Sequence, residues 1–146
     1  MLLMSANLPK QSKLFLNDTR DLDDRGKILS IVDTKIQNVS IITSNANTIR
    51  SNHFHKKDFH FMYVLEGEID YFFKNLEDND IKYLKVKQGD TIFTPCLELH
   101  ATYFPVKTSL IVSSGFPRDQ DTYEKDTVRV PFINKNNLDE FLKLYG

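Results

Sequence analysis

The chain has 146 residues, enough for one ordinary domain, and 40% of them are hydrophobic, enough for a core. Its 19 basic and 20 acidic residues leave a formal charge of -1, which argues against a general nucleic-acid or membrane-surface binder and leaves room for one local basic pocket. The single cysteine, Cys96, excludes an intrachain disulfide and favours a cytoplasmic address.

In chain order, Met1-Leu2-Leu3-Met4 is too short an apolar run for a signal peptide, and no stretch approaches the roughly 20 apolar residues of a membrane span. The expectation is a soluble, cytoplasmic protein without membrane or nucleic-acid partners. Up to Gly26 periodic signals are few, and Asn17–Asp21 and Asp23–Gly26 read as polar turns. From Lys27 the pattern is β. Apolar runs fall at Ile28–Val32, Val39–Thr43, Thr48–Phe54 and Phe59–Glu66, and a hairpin turn is expected at Glu66-Gly67 before Ile69–Phe73. After the polar turn Asn75–Asp80 come Ile81–Val86, a turn at Gly89-Asp90, Thr91–Thr94, Leu99–Phe104 and Ser109–Ser113. About nine short, evenly spaced strands predict an antiparallel sandwich or barrel. Residues 115–130 read as a solvated connection. Leu138, Phe141, Leu142 and Tyr145 mark one face of a helix over 136–145, capped by Asn136 or Asn137. The whole, 1–146, reads as a single all-β domain with its barrel core at 27–113.

All four histidines lie between positions 53 and 100. His53-Phe54-His55 places two imidazoles on one face of a strand. His60 opens the next strand, and His100 lies at the start of a later one. This is how a barrel assembles a transition-metal site, since imidazole suits Zn, Fe, Ni and Cu better than Mg or Ca. A single histidine on an apolar strand is more often a hydrogen-bonded core residue, so the set of four carries the reading and no one member does.

The spacing resembles the two cupin motifs, G-x5-HxH-x3,4-E-x6-G and G-x5-PxG-x2-H-x3-N. Here His53-Phe54-His55 leads through four residues to His60 in the glutamate place and through six more to Gly67. Gly89, Pro95, Leu97, His100 and Phe104 follow the second motif, with Leu97 in a glycine place and Phe104 in the asparagine place. Asn47 stands where the first motif opens with glycine, and asparagine tolerates a left-handed backbone. The resemblance implies a jelly-roll (double-stranded β-helix) cupin barrel. It implies one divalent transition metal (Zn, Fe, Ni, Mn or Cu) on His53, His55, His60 and His100, and a homodimer. With four neutral ligands such a metal keeps its full charge and favours an anionic ligand.

Arg50-Ser51-Asn52-His53-Phe54-His55-Lys56 resembles the R-G-x-H-x-H-K run of cupin dTDP-sugar 3,4-ketoisomerases and, more loosely, that of the 3,5-epimerases. Asp24-Arg25-Gly26 is similar to the D-x-R-G segment that opens those enzymes. The resemblance implies a nucleotide diphosphate held by Arg50 and a histidine acting as base, generally without a metal. Strand parity alone points Arg50 away from His53. Met62, Val64, Thr102 and Phe104 are expected to line the pocket beside the histidines. Candidate catalytic groups are His53 or His55 as base, with Tyr103, Tyr71 or Tyr63 as acid. Cys96 reads as a small buried residue. The leading expectation is a metal-binding cupin that isomerises or epimerises a small carbohydrate or nucleotide-sugar carbonyl substrate. Alternatives are a metal-free ketoisomerase or epimerase using His53 and His55, a non-catalytic sugar-binding or sensing cupin, and a metal-dependent dioxygenase.

Overall fold

A computed structural model describes residues 8–145; Met1–Met4 lie outside them. Twelve strands and two helices are present among the described residues. β1 (Lys13–Phe15), β4 (Asn38–Ser44), β6 (His60–Glu66), β9 (Thr91–Thr94) and β11 (Thr108–Ser114) form one sheet in the order β1-β9-β6-β11-β4. β5 (Thr48–His55), β7 (Glu68–Asn75), β8 (Lys82–Lys87), β10 (Glu98–Phe104) and β12 (Thr127–Arg129) form the other, in the order β12-β5-β10-β7-β8. Every pairing is antiparallel, and successive strands from β4 to β11 mostly switch sheets, so the two sheets face each other as the expected cupin jelly roll.

Side-chain alternation builds two apolar layers. Between the sheets lie Met62, Val64, Ile69, Tyr71, Phe73, Val86, Ile92, Phe104, Leu110 and Val112. The outer face of the second sheet carries Phe72 and Ala101, covered by Ile133 and by Leu138 of the C-terminal helix α2 (Leu138–Tyr145). That helix is the expected one, and it packs on the outside of the barrel. The turn that leads into it is closed by Asn134, whose Oδ1 accepts from Asn136 N at 2.8 Å and Asn137 N at 3.1 Å. Among the described residues no helix is long and apolar enough to cross a membrane.

Three expectations need correction. Glu66-Gly67 is not the turn of a paired hairpin: β6 and β7 lie in different sheets, and the turn carries the chain across the barrel. Gly67 has φ 95°, and a Cβ there would run into Thr108. The polar segment before residue 27 is not merely turns but an exposed hairpin, β2 (Asp18–Asp23) and β3 (Gly26–Ser30), with Arg25 bonded to Asp23 at its tip. A polar pattern without an apolar face hides such a ribbon from periodicity. Residues 115–130 are also structured, as α1 (Gln120–Asp126) followed by β12, which pairs with β5.

Candidate active site

The site sits where β5, β6, β10 and the α1–β12 segment meet. His53 and His100 are direct partners across the β5–β10 ladder. Their rings are 4.8 Å apart, His55 is 4.6 Å from His53, and His60 is 4.7 Å from His55, centroid to centroid. The four imidazoles thus form one continuous line. His53 is half-buried; His55, His60 and His100 are 1%, 6% and 4% exposed.

The hydrogen-bond partners assign the tautomers, because a carbonyl can only accept and a guanidinium can only donate. His100 Nδ1 meets the Glu98 carbonyl at 3.1 Å, so Nδ1 carries the proton and Nε2 a lone pair. His55 Nδ1 lies 3.4 Å from Thr127 Oγ1 and 3.3 Å from Asp126 Oδ2. Thr127 already donates its hydroxyl proton to the Tyr123 carbonyl at 2.7 Å, so it can only accept here. His55 therefore also presents a lone pair at Nε2, which is buried and has no partner among the described residues. His60 is the reverse case. Arg118 Nη1 lies 3.4 Å from its Nδ1, which must accept, and the protonated Nε2 faces Asp58 Oδ2 at 3.4 Å without the alignment of a full hydrogen bond.

Burial first, and then neighbouring positive charge, holds the first two histidines neutral. His53 falls to about 4, from burial and then from His60, Arg129 and Arg118. His55 is pushed lower still by burial, the other histidines and Arg118. His100 is lowered mainly by burial and His53.

The four histidines divide as ligands. Ring nitrogens of His53, His55 and His100 lie within 4.8 Å of one another, and so do ligand atoms of His55, Asp58 and His60. The first set fits a transition metal, because His55 and His100 offer lone-pair Nε2 atoms backed by hydrogen bonds at Nδ1. His60 belongs to the second set, with His55 and Asp58.

Of the other expected residues, Met62, Thr102 and Phe104 face the barrel interior and are buried, Met62 and Phe104 within the core cluster. Arg50 shares this face. Ser51 and Asn52 adopt φ of 71° and 57°, and the ladder slips between His100 and Ala101, so Arg50 pairs with Thr102. This β-bulge inserts one residue and reverses the parity that regular spacing gives. Arg50 is exposed at the rim, donating to Ser44 Oγ at 2.7 Å and the Thr43 carbonyl at 3.2 Å.

Tyr103 is not brought to the histidines. It alternates with His100 and Thr102, packs on the outer face with Phe72 and α2, and donates to Asn47 Oδ1 at 3.1 Å. Tyr71 lies parallel to His100 with centroids 6.1 Å apart, but its hydroxyl is engaged by Ser12 and Thr94 and its pKa is raised by burial. Cys96 is half-buried, and burial raises its thiol pKa.

Sequence reasoning missed Asp58, Arg118, Tyr123, Asp126 and Thr127. The Tyr123 ring lies 5.6 Å from His55 and 6.5 Å from His53. A signal existed: Tyr123, Asp126 and Thr127 are spaced i, i+3, i+4, one helical face in a segment with no apolar reason for one.

No family model matches the chain, and no curated protein matches it. Solved structures do. The sugar 3,4-ketoisomerase QdtA from Thermoanaerobacterium thermosaccharolyticum, in complex with TDP, is 19% identical with a TM-score of 0.67, over 95% of this chain and 100% of that one. The TDP-quinovose 3,4-ketoisomerase WlaRB from Campylobacter jejuni is 18% identical with a TM-score of 0.69, over 92% and 99%. The capsular polysaccharide assembling protein CapF from Staphylococcus aureus is 18% identical with a TM-score of 0.60, over 89% of this chain and 34% of that one. At this identity the likeness concerns the fold: this chain has the cupin jelly roll of the 3,4-ketoisomerases.

Proposed function

We propose that the protein is an isomerase of a nucleotide-linked keto sugar, working by proton transfer through His55. The observation that carries this reading is the His55 tautomer. Asp126 and Thr127 hold Nδ1–H, and the unpartnered Nε2 is a preset proton acceptor. The structural neighbours support the substrate class, since one was captured with TDP-4-keto-6-deoxyglucose.

A 3,4-ketoisomerisation removes the proton on carbon 3, forms an enediolate and returns a proton to carbon 4, while the hydroxyl proton passes from one oxygen to the other. In this chain His55 Nε2 takes the carbon-bound proton. The Asp126 carboxylate stabilises the imidazolium that results, as an acidic partner does for any histidine base. His53, neutral and 4.6 Å away, is placed to carry a proton between the oxygens. Arg50 and its strained bulge supply a cation at the rim for the nucleotide's phosphates. TDP at about 100 times its dissociation constant should add roughly 2.7 kcal/mol of stability. Arg50→Ala should remove most of that gain; an unchanged melting temperature with millimolar TDP would defeat the reading.

A second reading adds a divalent transition metal (Zn, Fe, Ni, Mn or Cu) on His53, His55 and His100, and the geometry of that set favours it. Such an ion supplies Lewis-acid polarisation of a carbonyl. Pairing with a second copy is supported by Val39 and Ile41, 63% and 72% exposed on edge strand β4. Light scattering should then give the mass of two chains.

A further inference from the structure

Arg118 is a half-buried guanidinium, and among the described residues most of its donors are unused. Nη1 points to His60 Nδ1 at 3.4 Å, and the group lies over the Tyr123 ring, 4.8 Å from its centroid. Among the described residues no carboxylate pairs with it. Of two other arginines near the site, one is paired with a carboxylate and one stands at the rim. Arg129 is held by both oxygens of Glu124, at 2.9 and 2.8 Å, and Arg50 is engaged at the rim. A partly buried cation without a counter-charge is suited to an anionic ligand that supplies one.

The surroundings fix Arg118 in place. Asp58 Oδ1 accepts from Phe59 N at 2.8 Å and Phe116 N at 3.1 Å, which ties the Arg118 segment to the mouth of β6. Asp58 Oδ2 faces the protonated nitrogen of His60, leaving the other nitrogen to accept from Arg118. The Tyr123 ring touches both sides of the site, with its centroid 4.8 Å from the guanidinium and 5.6 Å from the His55 ring. The cation therefore stands beside the proposed base without touching it.

We propose that Arg118 is an oxyanion-binding residue, whose free N–H groups take the negative charge that appears on the substrate's vicinal oxygens when His55 removes the carbon-bound proton. This rests on the isomerase reading. In the step, the C–H electron pair becomes the new carbon–carbon π bond, and the carbonyl π pair moves onto oxygen, where Arg118 binds it. Arg118 stays protonated throughout. Reprotonation at the neighbouring carbon returns the pair to a carbonyl, so no oxidant or reductant is needed. Asp58 and His60 act through Arg118 and are positioning residues.

The test compares wild type with Arg118→Gln and Arg118→Lys in three measurements: turnover of TDP-4-keto-6-deoxyglucose, affinity for TDP, and affinity for oxalate, a planar dianion with vicinal oxygens. Removing one oxyanion donor should lower kcat about 100-fold or more in the glutamine variant and less in the lysine variant, with KM and TDP affinity within about twofold. Oxalate affinity should fall about tenfold or more in the glutamine variant. Weakened TDP binding with unchanged kcat would make Arg118 a phosphate clamp and overturn the proposal. Unchanged kcat and oxalate affinity, or a wild type that does not bind oxalate, would overturn it as well. A wild type that binds oxalate through Arg118 yet never turns over the sugar would sink the isomerase reading while the oxyanion site stands. If the glutamine variant does not fold, the lysine variant decides by the same readings.

Discussion

Arg50 lies on the same face of β5 as His53, although three positions separate them, because the bulge at Ser51-Asn52 inserts one residue into the ladder. The bulge also anchors the C-terminal segment: Asn52 Oδ1 accepts from Phe132 N and Ile133 N, both at 3.0 Å, and its Nδ2 donates to the Ile133 carbonyl at 2.9 Å. One irregularity sets both the rim cation and the packing behind the site.

The left-handed backbone at this bulge is strained for a side chain with a Cβ. Ser51 and Leu97, at φ of 71° and 59°, stand in places where the resembled motifs have glycine. Ser51→Gly and Leu97→Gly should each stabilise the protein by about 1 kcal/mol, read as a shift in urea midpoint at constant slope. A loss of stability in both variants would show that the backbone is not under strain there.

Asp126→Asn keeps the shape but removes the charge that favours the His55 imidazolium. By the logic of the histidine–aspartate pair, kcat should fall by about 100-fold or more, with TDP affinity unchanged. Activity near wild type would mean that His55 does not take the proton.

Acid should destabilise the fold through the histidines. His53 is held at about 4 against an ordinary 6.5, and His100 is lowered by burial too. The unfolded chain therefore takes up protons that the folded one refuses as pH falls below 6.5, so stability is full above that value and declines towards about 4. His53→Asn should flatten the decline in melting temperature between those two limits. An equal slope in that variant would place the acid sensitivity elsewhere.

Metal content separates the two readings of the histidines. If an ion is bound on His53, His55 and His100, His55→Ala should empty the site and His60→Ala should leave it filled, because His60 lies outside that set. Elemental analysis of untagged protein checks both, and loss of metal in the His60 variant would return that residue to the ligand set.

The barrel was legible because its strands alternate cleanly, as in Met62 and Val64 facing in while Tyr63 and Leu65 face out. The histidines were legible because their spacing is rigid. Asp126, Tyr123 and Arg118 were hidden in a polar segment whose helix has no buried residue, so no hydrophobic period announced it. Tyr103, one of three candidate acids in the sequence, lies an odd number of positions from His100 and so on the opposite face of β10. Arg50 shows the converse, since a bulge that parity rules do not foresee restored it to the pocket face.

The role of His55 as the base of a keto-sugar isomerase can be followed directly on TDP-4-keto-6-deoxyglucose by NMR, with wild type and with His55→Asn. Wild type should move the keto group from carbon 4 to carbon 3, and the asparagine variant should bind TDP but leave the sugar unchanged. A folded wild type that leaves the 4-keto sugar intact, or a variant that converts it at the wild-type rate, would contradict it.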